Sequence, residues 1–264
     1  MLINRIYFKL KRLFHKDEYW ETRIKKAISS PDNIFIHRVK NAGKVKSGIQ
    51  IMHNGLKILK GSYYGAGITD MLKRNRGVHE PQEERFFGEV LSGLSENPVM
   101  IELGSYWAFY SMWFLKETKG GKAFLFEPDM NNLNFGISNF EINNFVGDFN
   151  LAMIGKKLNL SSLPPVLNID FIMEDKKIDF LDILHCDIQG FECQMLEGAV
   201  QTLSNKKVGY IFISTHSNEI HDICVKFLLK LKYLILFDCN LEETYSFDGL
   251  IVAKINKCLG LDDI

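Results

Sequence analysis

The sequence predicts an α/β fold: a mostly parallel, doubly wound sheet with an antiparallel edge pair, preceded by an N-terminal extension of helix and β-hairpin. Three observations carry this. Short apolar runs recur at Val99–Leu103, Ala123–Phe126, Phe149–Met153, Ile178–Cys186 and Val208–Ser214. They are continuous rather than alternating, as strands covered on both faces are. Segments of helical periodicity stand between them, and alternation of this kind puts helices on the faces of a parallel sheet.

The stretch from Val99 to Asp129 organises the chain. It reads as a buried strand, a turn at Gly104, a helix over about 108–117, and a second strand closed by Glu127. Gly104 is expected to let a ligand approach the backbone, with the free N–H groups of the following helix beyond it. Ser105 and Tyr106 continue that turn. Glu102 interrupts an apolar strand, and a buried carboxylate needs a partner. Glu127 follows the turn at about the 20-residue spacing at which an acid accepts ribose hydroxyls, with Pro128 beside it. The turn has one glycine, so it lacks the G-x-G-x-x-G of dinucleotide sites, and no Gly-Lys-Ser/Thr triplet occurs. An adenosine ligand without phosphates fits better, and S-adenosylmethionine is one.

The other elements follow in order. Residues 1–30 read as one or two amphipathic helices, with Ile3, Ile6, Leu10, Leu13 and Phe14 on one face and Arg5, Lys9, Lys11, Arg12 and Lys16 around it. Ser30-Pro31-Asp32-Asn33 breaks the helix. Ile34–Ile36 and Ile49–Met52 look like paired strands, and Asn54-Gly55 marks a hairpin returning through Leu56–Leu59. Residues 61–67, with Tyr63 and Tyr64, read as a connector. Pro81 to Leu94 is a helix with Glu83 and Glu84 in its first turn. Beyond Glu127 a helix runs to about Asn139. The third strand then ends at Ala152 and Met153, beside the expected adenine. A helix over about 191–203 follows the fourth strand, and one over 219–231 follows the fifth. Tyr233–Phe237 and Leu250–Ala253 supply the edge pair. The apolar faces before residue 78 predict a cap or a homodimer interface, dividing the chain at 1–77 and 78–264.

Composition bounds the function. Of 264 residues, 46% are hydrophobic, and 32 basic residues balance 32 acidic ones. A net charge of zero argues against a nucleic-acid partner held by bulk electrostatics. Five cysteines without a C-x-x-C pair read as reduced thiols of a cytoplasmic protein. There is no apolar run long enough for a membrane span and no signal-peptide pattern.

Ligands of doubly wound sheets bind beyond the carboxyl ends of the strands, where Glu127, Asp187 and His216 all fall. At this point the residues match a family. Ile-Glu-Leu-Gly-Ser (101–105), Phe-Glu-Pro-Asp (126–129), Leu-Asn-Ile-Asp (167–170) and Leu-His-Cys-Asp-Ile-Gln-Gly-Phe-Glu (184–192) with Leu-Glu-Gly-Ala (196–199) resemble the motifs of the FkbM-type S-adenosylmethionine-dependent methyltransferases. The resemblance spans roughly residues 78–254, and Asp187, Gly190 and Glu192 are its most specific part. The chain departs from the family at Tyr106, Ala108, His185 and Gln189, where the usual residues are asparagine, glycine, lysine and glutamate. The resemblance implies a Rossmann-like class I methyltransferase fold, S-adenosylmethionine as cofactor, and methyl transfer to a small hydroxylated acceptor, a sugar or surface-glycan precursor. An amine or phosphoryl acceptor, or a non-catalytic binding module, are the alternatives.

Methyl transfer to a hydroxyl requires alignment of the nucleophile and removal of its proton. Asp187 and His216 are the expected catalytic pair, with His216 as base because a neutral histidine suits the working pH. Glu102, Gly104, Ser105, Tyr106, Glu127, Pro128, Ala152 and Met153 are the expected cofactor site. His185 reads as a core histidine, and His79 and Glu80 stand before the first helix of the main domain, where they could reach the cleft. Asp187 with His216 are too few ligands to predict a metal.

Overall fold

The computed structural model describes residues 16–256. The basic amphipathic pattern over residues 3–14 and Cys258 lie outside them. Helix α1 (Lys16–Ser29) turns Trp20, Ile24 and Ala27 inward, spaced as one helical face requires. Pro31 then starts a short 3-10 turn, Pro31–Ile34, capped by the Ser30 side chain on the Asp32 N–H. The Asn33 amide donates to the Ala27 carbonyl at the end of α1. These local bonds win over the strand expected at Ile34–Ile36, and Ile34 and Phe35 are left exposed. The partner of β2 (Ile49–Ile51) is instead β1 (Val45–Lys46), and β3 (Lys57–Leu59) returns beside β2 as the Asn54-Gly55 turn predicts. Gly55 takes φ 89°, which a glycine adopts without strain. Helices α2 (Ala66–Arg74) and α3 (Pro81–Ser92) lead into the main sheet.

That sheet uses β4 (Val99–Leu103), β5 (Lys122–Glu127) and β6 (Asp148–Leu151), with α4 (Phe109–Glu117) and α5 (Met130–Asn143) between them. Asp129 caps α5, its carboxylate accepting the N–H groups of Asn131 and Asn132. The third strand is shorter than expected. It ends at Leu151, and the chain steps out through Ala152 into a separate two-stranded pair, β7 (Met153–Ile154) and β8 (Val166–Leu167). Helix α6 (Ile169–Asp175) covers the residues after β8 and begins at the Asn168 cap. Strand β9 (Leu181–Cys186) follows. The helix expected over 191–203 is two pieces, α7 (Glu192–Glu197) and α8 (Val200–Ser204), broken at Gly198. A Cβ at Gly198 would lie 2.5 Å from the Gly155 carbonyl oxygen, so the break keeps close contact with that loop.

After β10 (Val208–Thr215) and α9 (Asn218–Lys230), β11 (Leu234–Cys239) and β12 (Gly249–Lys254) complete a seven-stranded sheet in the order β11-β12-β10-β9-β4-β5-β6. Strand β12 runs antiparallel to both neighbours, and the five strands from β10 to β6 are parallel. This is the α/β architecture expected, with its antiparallel edge. One face of the sheet packs Ile101, Leu103, Leu184, Met195 and Cys224. The other packs Phe87, Phe109, Trp113 and Phe212 together with Trp20, Ile24, Met52 and Ile58 of the N-terminal segment. Each fully buried large side chain contributes about 1.5–3 kcal/mol, so residues 16–77 share the core of the sheet. No described helix is long and apolar enough to cross a membrane.

Candidate functional site

A cavity of about 420 Å³ opens at the carboxyl ends of β4, β5 and β9, where such a sheet places its ligands. Every residue expected at the cofactor lines it: Glu102, Gly104, Ser105, Tyr106, Glu127 and Pro128, and also Ala152 and Met153. Glu127 ends β5 and is held on both oxygens. Oε2 accepts the Tyr106 N–H at 3.2 Å and Oε1 accepts the Asp129 N–H at 2.9 Å. Burial raises its pKa, and those backbone donors work against the rise. A carboxylate fixed this way keeps lone pairs for further donors. Ser105 Oγ is buried with no partner among the described residues. An adenosine with a ribose diol fits this half, and Ala152, Met153, Ile154 and Ile188 supply apolar surface beside it.

The turn after β4 has a different reason for its glycine than ligand approach alone. Gly104 has φ 73°, and a Cβ there would sit 1.9 Å from the Asp187 carbonyl oxygen. The glycine therefore lets the ends of β4 and β9 come together. Tyr106 and Ala108 are left-handed as well, at φ 40° and 61°. These are the two positions where the family's usual asparagine and glycine would adopt that conformation at less cost. Glu102 finds its partner in the Ser111 N–H, 3.0 Å away in the first turn of α4, and burial raises its pKa to about 7.

The opposite half of the cavity is built from the 61–67 segment and from the residues around the start of α3. Tyr63, in the 61–67 segment read as a connector, stacks on Trp107 with centroids 4.6 Å apart and planes within 4°. Tyr64 meets Tyr106 edge-on. From the start of α3, His79, Glu80 and Glu83 reach the cavity, and Tyr110 and His185 face them. His79 bridges Glu80 at 3.0 Å and Glu84 at 2.6 Å. Burial opposes its charge, but the two carboxylates outweigh burial and raise its pKa to about 10. His185 is buried, as expected of a core histidine, and its Nε2 lies 2.7 Å from Glu83 Oε1. The available signal was the cluster of acids in the first turn of a helix that leads into the sheet.

Asp187 lines the cavity, whereas His216 stands behind it. His216 Nδ1 lies 2.8 Å from Glu192 Oε1, and its Nε2 is 3.3 Å from Asp187 and 3.5 Å from Asp248. Glu192 Oε1 also accepts the Gly190 N–H at 2.8 Å. The Asp-x-x-Gly-x-Glu motif is thus a clamp, two carboxylates closing on one histidine. Burial lowers the His216 pKa, but hydrogen bonds to Asp187 and Glu192 and the charge of Asp248 raise it to about 11. These carboxylates favour its protonated form, and Gln189 Nε2 lies 2.9 Å from the same Nε2. In its protonated form it holds Asp187 in place and has no lone pair free to take a proton. Among the described residues no group of three or more His, Cys, Asp or Glu side chains is arranged to hold a metal ion.

Residues 156–240 match the Methyltransferase FkbM domain, the segment that carries the clamp. No curated protein matches the chain. Among solved structures, it is similar to TrmK of M. capricolum in complex with the cofactor product S-adenosyl-homocysteine, at 14% identity over 66% of this chain and 69% of that one, with a TM-score of 0.42. It is also similar to precorrin-6y C5,15-methyltransferase of Geobacter metallireducens, at 15% identity over 66% and 88%, with a TM-score of 0.45. The domain match supports an S-adenosylmethionine-dependent methyltransferase.

Proposed function

We propose that this chain is an S-adenosylmethionine-dependent O-methyltransferase acting on a hydroxyl of a small hydroxylated acceptor, a sugar or surface-glycan precursor. The observation that carries the reading is the two-part cavity. One half offers Glu127, Ser105 and the Gly104 turn to a nucleoside, and the other presents buried acid and imidazole side chains to a second molecule.

When bound, the cofactor supplies an electrophilic methyl group on a sulfonium. In this reading Glu127 accepts the ribose hydroxyls while its backbone donors hold it in place. Tyr63, stacked on Trp107, closes one wall and excludes water. Asp187 orients the acceptor hydroxyl, and the His216 cation fixes Asp187 from behind. Alignment of this kind supplies a large part of the rate in a bimolecular displacement.

The charge of the lining separates acceptor classes. Among the described residues the cavity is lined by five carboxylates (Glu80, Glu83, Glu102, Glu127, Asp187) and two imidazoles (His79, His185), with no lysine or arginine. The cation in the lining, His79, is already paired with Glu80 and Glu84, so a phosphoryl acceptor would meet no unpaired cation of the kind that binds phosphate, and the lining disfavours it. A neutral polyol suits the site, and an amine is the second reading, because a protonated amine complements the carboxylates. Methyl transfer from labelled cofactor to methyl glucoside, glucosamine and a nucleotide sugar tests the three classes. The expected result is transfer to one of the first two. Transfer to a phosphate oxygen of the nucleotide sugar would overturn the charge argument, and no binding of S-adenosylhomocysteine would overturn the cofactor.

A further inference from the structure

We propose that His185, oriented by Glu83, is the base that takes the acceptor's proton. The assignment rests on the methyltransferase reading and adds a residue that the domain match does not specify.

His185 lies at the end of β9 and lines the cavity. Its Nε2 is 2.7 Å from Glu83 Oε1, and Glu83 Oε2 in turn accepts the Ser214 hydroxyl at 3.0 Å. Both carboxylate oxygens are thus engaged, which holds the acid against the ring. Tyr110 packs on the ring with centroids 4.3 Å apart. The other ring nitrogen, Nδ1, is buried and has no partner among the described residues. A carboxylate that accepts from Nε2 fixes the tautomer in which Nδ1 carries the free lone pair. A buried lone pair without a donor costs free energy, and a ligand hydroxyl in the cavity would supply that donor. The same division of labour, with an acid orienting an imidazole whose far nitrogen takes the proton, recurs in hydrolytic triads.

The charged groups around the ring set its working range. Glu83 faces it from α3 and Glu102 from β4, while Asp187 lies just past the end of its own strand. Burial opposes its charge, yet these three carboxylates raise its pKa above the ordinary histidine value. The comparison with His216 decides between the two histidines. His216 is clamped on both nitrogens and lies behind the cavity, whereas His185 is clamped on one and lines it.

In the proposed step the acceptor oxygen bonds to the methyl carbon as the carbon–sulfur bond breaks, and that electron pair stays on sulfur as a neutral thioether. The hydroxyl proton moves to Nδ1 of His185. The resulting imidazolium keeps its Nε2–H on Glu83 and later releases the Nδ1 proton to solvent.

Long-range proton–nitrogen NMR of the histidine-labelled full chain, with S-adenosylhomocysteine bound, tests this without an acceptor. The expected result is a neutral His185 ring above its titration midpoint, protonated on Nε2 and bare on Nδ1, with a roughly tenfold weaker proton affinity in Glu83→Gln. A ring protonated on Nδ1 when neutral, or one that stays doubly protonated to pH 9, overturns the assignment. His185→Gln should bind S-adenosylhomocysteine within about twofold of wild type and lose roughly 10²-fold or more in turnover of whichever glycoside the wild type methylates. Retained turnover in that variant would also overturn it. Loss of S-adenosylhomocysteine binding by the wild type would instead count against the methyltransferase reading itself.

Discussion

Glu127 is tied to two backbone amides before any ligand arrives, so its orientation costs little on binding. Glu127→Ala is expected to weaken S-adenosylhomocysteine by roughly 1.5–3 kcal/mol, the range for a hydrogen bond to a charged group; titration calorimetry checks it, and unchanged affinity would remove Glu127 from the site. His216 makes a different prediction. Its folded pKa of about 11 lies above the ordinary 6.5. Its ion pairs therefore stabilise the fold fully below about pH 6.5, and that contribution is lost as pH rises toward 11. His216→Gln should cost about 2–4 kcal/mol near pH 6.5, toward the low side for breaking a buried pair because the site is partly open. The gap in urea midpoints between wild type and variant should narrow steadily up to pH 10. A gap that does not change with pH would mean that His216 is neutral in the folded protein.

At the turn after β4, two strand ends meet so closely that no side chain fits. Gly104→Ala combines a left-handed backbone, costing about 1–2 kcal/mol, with a Cβ 1.9 Å from the Asp187 carbonyl oxygen, a clash whose relief costs about 1–3 kcal/mol more. The expected loss is about 2–5 kcal/mol in chemical denaturation, with S-adenosylhomocysteine affinity falling as well because Asp187 must move. A variant of wild-type stability would show that the β4 and β9 ends can separate freely. Helix α3 acts as an element in another way. Its first turn carries Glu83 and Glu84, and both point into buried histidines rather than into water. The acids that an isolated helix would use against its own dipole are here used by the site.

The N-terminal segment reaches the same cavity. Arg23 of α1 is buried between Trp20 and Phe247. Its pKa is raised although burial opposes the charge, because Asp248, Tyr19, Tyr63 and Glu80 favour the cation. Trp20, Ile24 and Ala27 sit in the core of the sheet. The apolar face of α1 over Trp20, Ile24 and Ala27 is thus covered by the chain itself, while the face expected over residues 3–14 lies outside the described residues. Removing residues 1–30 should lower the thermal midpoint by several degrees in calorimetry and weaken S-adenosylhomocysteine through the loss of support for Tyr63. Light scattering on both chains separates this from dissociation of a dimer. An unchanged midpoint would mean that α1 is not part of the folding unit.

The sequence by itself determined the order of strands and helices, the turn at Gly104 and the acids at the ends of β5 and β9. Each of these depends on neighbours within a few residues: apolar runs, a glycine, a cap, a proline. It also misplaced what depends on such neighbours only in part. Ile34–Ile36 has strand composition but follows a proline and a serine cap, and the single helix read over 191–203 breaks where Gly198 meets another loop. Only the tertiary structure decided which groups share the cavity and which of them carry charge. Glu83 and His185 are 102 residues apart, and Glu83 and Ser214 are 131 apart. No local pattern announces such pairs. The raised pKa of His216 follows from three carboxylates that converge on it from the β9 turn, α7 and the residues before β12. A proton's free energy is set by the charges and burial around it in space, and sequence spacing carries little of that information.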